Sequence, residues 1–129
     1  MSGRYLLDTK IVIAWFAGEA TVRRHLKLNA DLFLSSIVIG ELYFGACASG
    51  RKEANLRRID DLVQESAVLN CDLQTALRYG DVKNDLREKG RSIPENDLWI
   101  ASIALQHSLI LVSRDRHFDE VIGLAREAW

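Results

Sequence analysis

The sequence predicts an α/β protein: a three-layer unit in which a central, mostly parallel sheet carries helices on both faces. Two observations predict it. Short apolar runs of strand length recur at Tyr5 to Leu7, Leu32 to Leu34, Ala67 to Leu69 and Leu109 to Val112, and longer segments with helical periodicity separate them. Parallel strands need such crossovers, and their burial on both faces explains why the runs are apolar rather than alternating. The 129 residues contain one proline, Pro94, and no repeat or linker-like tract, so residues 1–129 are expected to form a single domain.

The elements follow in order. Tyr5 to Leu7 ends at Asp8, a favoured N-cap, so a helix can begin near Lys10. After Leu32 to Leu34, Ser35 or Ser36 can cap a helix running through about Ala48 and stopping near Gly50. Its nearly all-round apolar surface predicts burial. Lys52 to Glu65 places Leu56, Ile59, Leu62 and Val63 on one stripe and leaves Arg57, Arg58 and Asp61 for water. The next helix, about Asp72 to Glu88, carries Leu73, Ala76, Leu77 and Gly80 on one side and ends near Gly90. Pro94 suits the first turn of a last helix reaching about Gln106.

Composition excludes several functions. A net charge of -1 and a pI near 6.3 rule out nucleic-acid binding by bulk positive charge, leaving only a local basic rim. Cys47 and Cys71 form neither a CxxC pair nor a Cys/His cluster, so they are expected to be buried thiols rather than zinc ligands. No signal-peptide pattern or bilayer-length apolar run occurs. A cytoplasmic protein with no membrane partner is expected.

Four acids interrupt or terminate apolar stretches: Asp8 after Leu6-Leu7, Glu41 within Ile39-Gly40-Glu41-Leu42, Asp97 before Leu98-Trp99-Ile100, and Asp115 after Leu111-Val112. Each has an ordinary reading: Asp8 caps a helix, Asp97 complements a helix dipole, Asp115 starts a turn, and Glu41 belongs to a buried ion pair. A shared explanation is one Mg²⁺ site. Two carboxylates about 4 Å apart at an effective dielectric of about 20 repel by roughly 4 kcal/mol, and a divalent cation removes that conflict. Mg²⁺ prefers oxygen donors, and Mn²⁺ is expected to substitute. His25, His107 and His117 are dispersed without zinc-hydrolase spacing and read as surface or packing residues.

The blocks Leu6-Leu7-Asp8-Thr9, Ile39-Gly40-Glu41-Leu42, Asn96-Asp97-Leu98-Trp99-Ile100-Ala101 and Ser113-Arg114-Asp115-Arg116-His117-Phe118 together resemble a PIN-domain ribonuclease of the VapC type, the toxin of type II toxin-antitoxin pairs. The likeness runs from Tyr5 to Trp129. It implies a PIN-like sheet of four to five strands, with Asp8, Glu41, Asp97 and Asp115 as the catalytic and metal-binding quartet. Asp8 and Asp97 would be the leading ligands, Glu41 would orient water or act as a base, and Thr9 and Ser113 would be supporting hydroxyls. The implied reaction is Mg²⁺-dependent endonucleolytic hydrolysis of RNA, leaving a 5′-phosphate and a 3′-hydroxyl. The implied partners are a small antitoxin that covers the acidic cleft, operator DNA only through that antitoxin, and a second copy in a homodimer.

One position departs from the family, where Asn usually follows Asp-Thr; here Lys10 stands. Its ammonium can pair with an acid, compete with the metal or contact phosphate, or simply reach into water. Arg114 and Arg116 are further candidates for holding the RNA backbone, as are Arg51 and Lys52. Trp15, Trp99 and Trp129 are expected to pack rather than stack on bases. Two rival functions remain: a PIN-fold binding or scaffold protein silenced by Lys10, and a Mg²⁺-binding receiver-type signalling domain.

Overall fold

The computed structural model describes residues 3–28 and 31–129. Strand β1 (Tyr5–Leu7) leads into helices α1 (Thr9–Phe16) and α2 (Ala20–Leu28), then β2 (Leu32–Ser35), α3 (Ser36–Cys47), α4 (Lys52–Glu65) and β3 (Ala67–Leu69). The second half comprises α5 (Leu73–Glu88), α6 (Glu95–Gln106), β4 (Ile110–Val112), a 3-10 turn (Arg116–Glu120) and β5 (Arg126–Glu127).

The strands form one five-stranded sheet in the order β3-β2-β1-β4-β5, and every pairing is parallel. Leu6 sits beside Phe33 on one side and Leu111 on the other. Central strands β1 and β4 are buried through Leu6, Leu7, Leu111 and Val112, as the unbroken apolar runs predict. Chain order runs outward from β1 through β2 to β3, then restarts at β4 on the other side of β1. The β1/β4 boundary is therefore the topological switch point, where a crevice opens beyond the carboxyl ends of the strands. Receiver-type doubly wound units follow the order 2-1-3-4-5, so this sheet sets that rival aside.

Local chemistry explains the helix ends. Ser35 Oγ accepts from the backbone N of Val38 at 3.1 Å and caps α3. Asp72 caps α5 in a capping box with Thr75. At the other end of α5, the N–H of Arg91 reaches the carbonyl of Leu86 and that of Gly90 reaches Arg87. This Schellman closure places Gly90 at φ 67°, in the left-handed region where glycine carries no Cβ penalty. Pro94 stands at the N-cap of α6, one residue before the first turn.

Three expectations need correction. The α5 stripe Leu73, Ala76, Leu77, Gly80 faces outward: Leu73 is 73% and Leu77 57% exposed, and the buried face is Thr75, Val82 and Leu86. The apolar letters misled because Thr75 is buried with its hydroxyl satisfied by Asp72 and Gln106. Helix α3 is buried only on the face of Val38, Leu42 and Ala46, while Phe44 is 76% exposed. Both cysteines are exposed free thiols, not buried ones. The fifth strand, β5, lies at the sheet edge beside β4, within the expected four to five. No described helix is long and apolar enough to cross a membrane.

Candidate active site

Each acid is placed by a different element. Asp8 leaves β1 in extended backbone (φ -75°, ψ 161°) and caps α1. Its Oδ1 accepts from the backbone N of Thr9 at 2.8 Å, and its Oδ2 accepts from Ser113 Oγ at 2.7 Å. The capping role leaves room for a site role, because each carboxylate oxygen retains a further acceptor position. Asp8 is only 5% exposed.

Asp115 ends the loop that leaves β4, at the N-cap of the 3-10 turn, and its backbone N donates to Ser113 Oγ at 3.1 Å. Glu41 projects from α3, where Thr9 Oγ1 donates to its Oε1 at 3.1 Å. Asp97 lies in the first turn of α6, a central helix whose Ile100, Ala101, Ile103 and Ala104 are wholly buried. All four acids, with Thr9, Lys10 and His117, line one cleft of about 660 Å³. It opens at the switch point between β1 and β4.

The electrostatics tie the acids to one another. Burial raises the Glu41 carboxyl above the ordinary range; the Thr9 hydrogen bond opposes this, and the charges of Asp8 and Asp97 add to it. Burial also raises Asp97, reinforced by Asp8 and Asp115 and opposed by His117. Four carboxylates sharing one cleft offer the oxygen donors that a hard divalent cation prefers. Among the described residues, no three His, Cys, Asp or Glu side chains close around a single point.

Reading the sequence missed His117. Its Nε2 lies 2.8 Å from Asp97 Oδ2, yet this buried atom has no well-angled hydrogen-bond partner among the described residues. Glu95 and Asn96 also line the cleft. The cations are dispersed. Lys10 Nζ approaches Asp115 Oδ1 at 3.7 Å with its side chain 71% exposed. Arg114 turns away: Nε donates to the carbonyl of Trp129 at 2.8 Å, and NH2 pairs with Glu19 at 2.9 Å. Arg116 is exposed outside the cleft lining, and Arg51 and Lys52 line a separate depression at the start of α4. Trp129 packs on Tyr5 and His25, Trp15 on Phe16, and Trp99 on Tyr79.

A parallel sheet with an acid-lined cleft at its switch point has the layout of an α/β ligand site. The PIN domain model matches residues 5–124, and the chain belongs to the PIN domain family. Within that family it is similar to ribonuclease VapC2 of Haemophilus influenzae strain Rd, 37% identical over 134 residues covering 98% of both chains. It is also 34% identical over 129 residues to the tRNA(fMet)-specific endonuclease VapC of Shigella flexneri, again covering 98% of each. Among solved structures, VapBC2 from Rickettsia felis bound to a promoter DNA fragment superposes with a TM-score of 0.89 at 30% identity, covering 97% of this chain and 98% of that one. DNA-bound VapBC from Salmonella typhimurium gives 0.91 at 29% identity, covering 100% and 99%.

Proposed function

We propose that this protein is a divalent-metal-dependent endoribonuclease, the toxin of a type II toxin-antitoxin pair, organised as one domain over residues 1–129. The observation that carries the reading is the convergence of Asp8, Glu41, Asp97 and Asp115 on one cleft in a chain of the VapC type. Mg²⁺ is the natural cation, with Mn²⁺ able to substitute.

Asp8 and Asp97 would hold the cation, with Asp115 completing the shell. When bound, the cation supplies Lewis acidity and charge neutralisation at the scissile phosphate. Glu41, which lines the cleft, would orient the attacking water or accept its proton. Thr9 orients that carboxylate through its hydroxyl. Lys10, exposed at the cleft rim, is placed to meet an RNA phosphate, and Arg116 contributes positive charge from farther out. Arg114, held by Glu19 and Trp129, is left to structure. The products are a 5′-phosphate and a 3′-hydroxyl.

The protein is expected to act in the cytoplasm as a homodimer and to bind a small antitoxin that covers the cleft. DNA is reached only through that antitoxin. An apolar groove lined by Ile13, Phe16, Leu42 and Ile59 shares Glu41 and Ile13 with the cleft, which suits occlusion by a chain lying across both. The silenced-scaffold alternative is not favoured: among the described residues the ion pair of Lys10 is with Asp115, at 3.7 Å, and its side chain is 71% exposed.

The test is cleavage of structured RNA by the purified chain with Mg²⁺ or Mn²⁺. Asp97→Asn is expected to lower the rate by roughly 100-fold or more. Undiminished cleavage by that variant would reject the assignment.

A further inference from the structure

The loop between β4 and the 3-10 turn carries two of the site's groups, Ser113 and Asp115, without a helix of its own to hold it. Ser113 is wholly buried, and its hydroxyl joins two acids, donating to Asp8 Oδ2 and accepting from the backbone N of Asp115. That geometry requires the Ser113 backbone to be fixed on both sides. Its N–H donates to the carbonyl of Glu127 at 2.9 Å. Its carbonyl accepts from Arg126 NH1 at 2.9 Å.

Arg126 is itself clamped. Its Nε and NH2 grip Asp119 at 2.8 and 3.0 Å in a two-pronged pair, which uses the planar guanidinium in a way an ammonium cannot reproduce. The Arg126 side chain is 16% exposed, against 57% for Asp119, and the cation lies within electrostatic reach of Asp115. One guanidinium thus connects the 3-10 turn, the backbone beside β4 and the acid cluster.

We infer that Arg126 is a positioning residue for the acid cleft, acting from strand β5 through the Ser113 carbonyl to set the orientation of the Asp8 and Asp115 carboxylates. Without Arg126 the Ser113 carbonyl is a buried acceptor short of a partner, and the peptide rotates to find one. The hydroxyl rotates with it. Asp8 then loses the bond on Oδ2, and Asp115 loses its backbone anchor. The inference rests on the acid cleft being the metal-dependent nuclease site.

The experiment compares the full chain with Arg126→Met, Arg126→Lys, Asp119→Asn and Asp97→Asn. For each, Mn²⁺ affinity is measured by electron paramagnetic resonance without RNA, kcat and KM by RNA cleavage, and melting temperature separately. Outer partners of metal ligands typically change affinity or activity by roughly 10- to 100-fold. Arg126→Met is expected at the lower end, with Mn²⁺ affinity and kcat each falling roughly 10-fold while KM holds. Arg126→Lys should recover part of both, and Asp119→Asn should lie between wild type and Arg126→Met.

A merely structural ion pair would lower the melting temperature and leave Mn²⁺ affinity of the folded protein and kcat unchanged; that result overturns the inference. Should Arg126→Met fail to fold, wild-type Mn²⁺ affinity in both Arg126→Lys and Asp119→Asn overturns it equally. Loss of cleavage in Asp97→Asn beside unaffected Arg126 variants rejects this inference alone. Wild-type cleavage by Asp97→Asn rejects the acid-cleft reading and this inference together.

Discussion

Thr9 Oγ1 donates to Glu41 Oε1 at 3.1 Å, joining the first turn of α1 to the middle of α3 across the acid cleft. This bond holds the Glu41 carboxyl down against burial and against the charges of Asp8 and Asp97. Thr9→Val removes the donor and keeps the shape, so the Glu41 carboxyl should rise further. The acidic limb of the rate profile should move to higher pH, with little change in KM. A pH profile superimposable on wild type would show that Glu41 does not carry the rate-limiting deprotonation.

Glu41 and Asp97 both have carboxyls raised above their ordinary values of 4.5 and 3.8. Each binds its proton more tightly when folded than when unfolded. Its stabilising contribution is therefore present in acid and is lost as pH climbs from the ordinary value through the raised one. In the presence of a chelator, Asp97→Asn should melt higher than wild type, and the gap should widen as pH rises through that window. Added Mn²⁺ should stabilise wild type and narrow the gap. Thermal melts across the pH series decide it, and a gap independent of pH would contradict the sign.

Lys10 bridges to Asp115 at 3.7 Å from a largely exposed position, where ion pairs contribute only about 0.2 to 1 kcal/mol. Lys10→Asn should leave stability within about 0.5 kcal/mol of wild type. Removing the competing cation should tighten Mn²⁺ binding by roughly two- to fivefold. Titration of metal into the two proteins measures this directly, and weaker binding by the variant would assign Lys10 a supporting role instead.

Phe118 is wholly buried beneath the 3-10 turn that carries His117. Phe118→Ala should cost about 3 to 5 kcal/mol, the usual range for emptying a packed aromatic site. Urea unfolding measures the loss, and a cost below about 1 kcal/mol would mean that the turn closes over the gap.

Much of the candidate cleft was readable because an acid inside an apolar run is costly to bury and so stands out. Glu41 announced itself in that way, and Asp8 and Asp115 did so by following apolar strands. Lys52–Glu65 was equally plain, since its stripe is unbroken. His117 carried no such mark: its meeting with Asp97 depends on how α6 packs against the 3-10 turn, which no local spacing records. Arg114 stands next to Asp115 in sequence yet belongs to Glu19, because neighbouring residues on an extended segment point to opposite sides. Strand β5 is Arg126 and Glu127, two charged residues whose strand character lies in backbone bonds to β4. Side-chain pattern cannot reveal it.

The bond from Ser113 to Asp8 spans 105 residues, and β1 pairs with β4 across the same interval. A ribosome has therefore already produced most of the polypeptide before Asp8 and Ser113 can meet. Asp8, made early, therefore goes without the hydroxyl that fixes its Oδ2 until the chain is nearly complete.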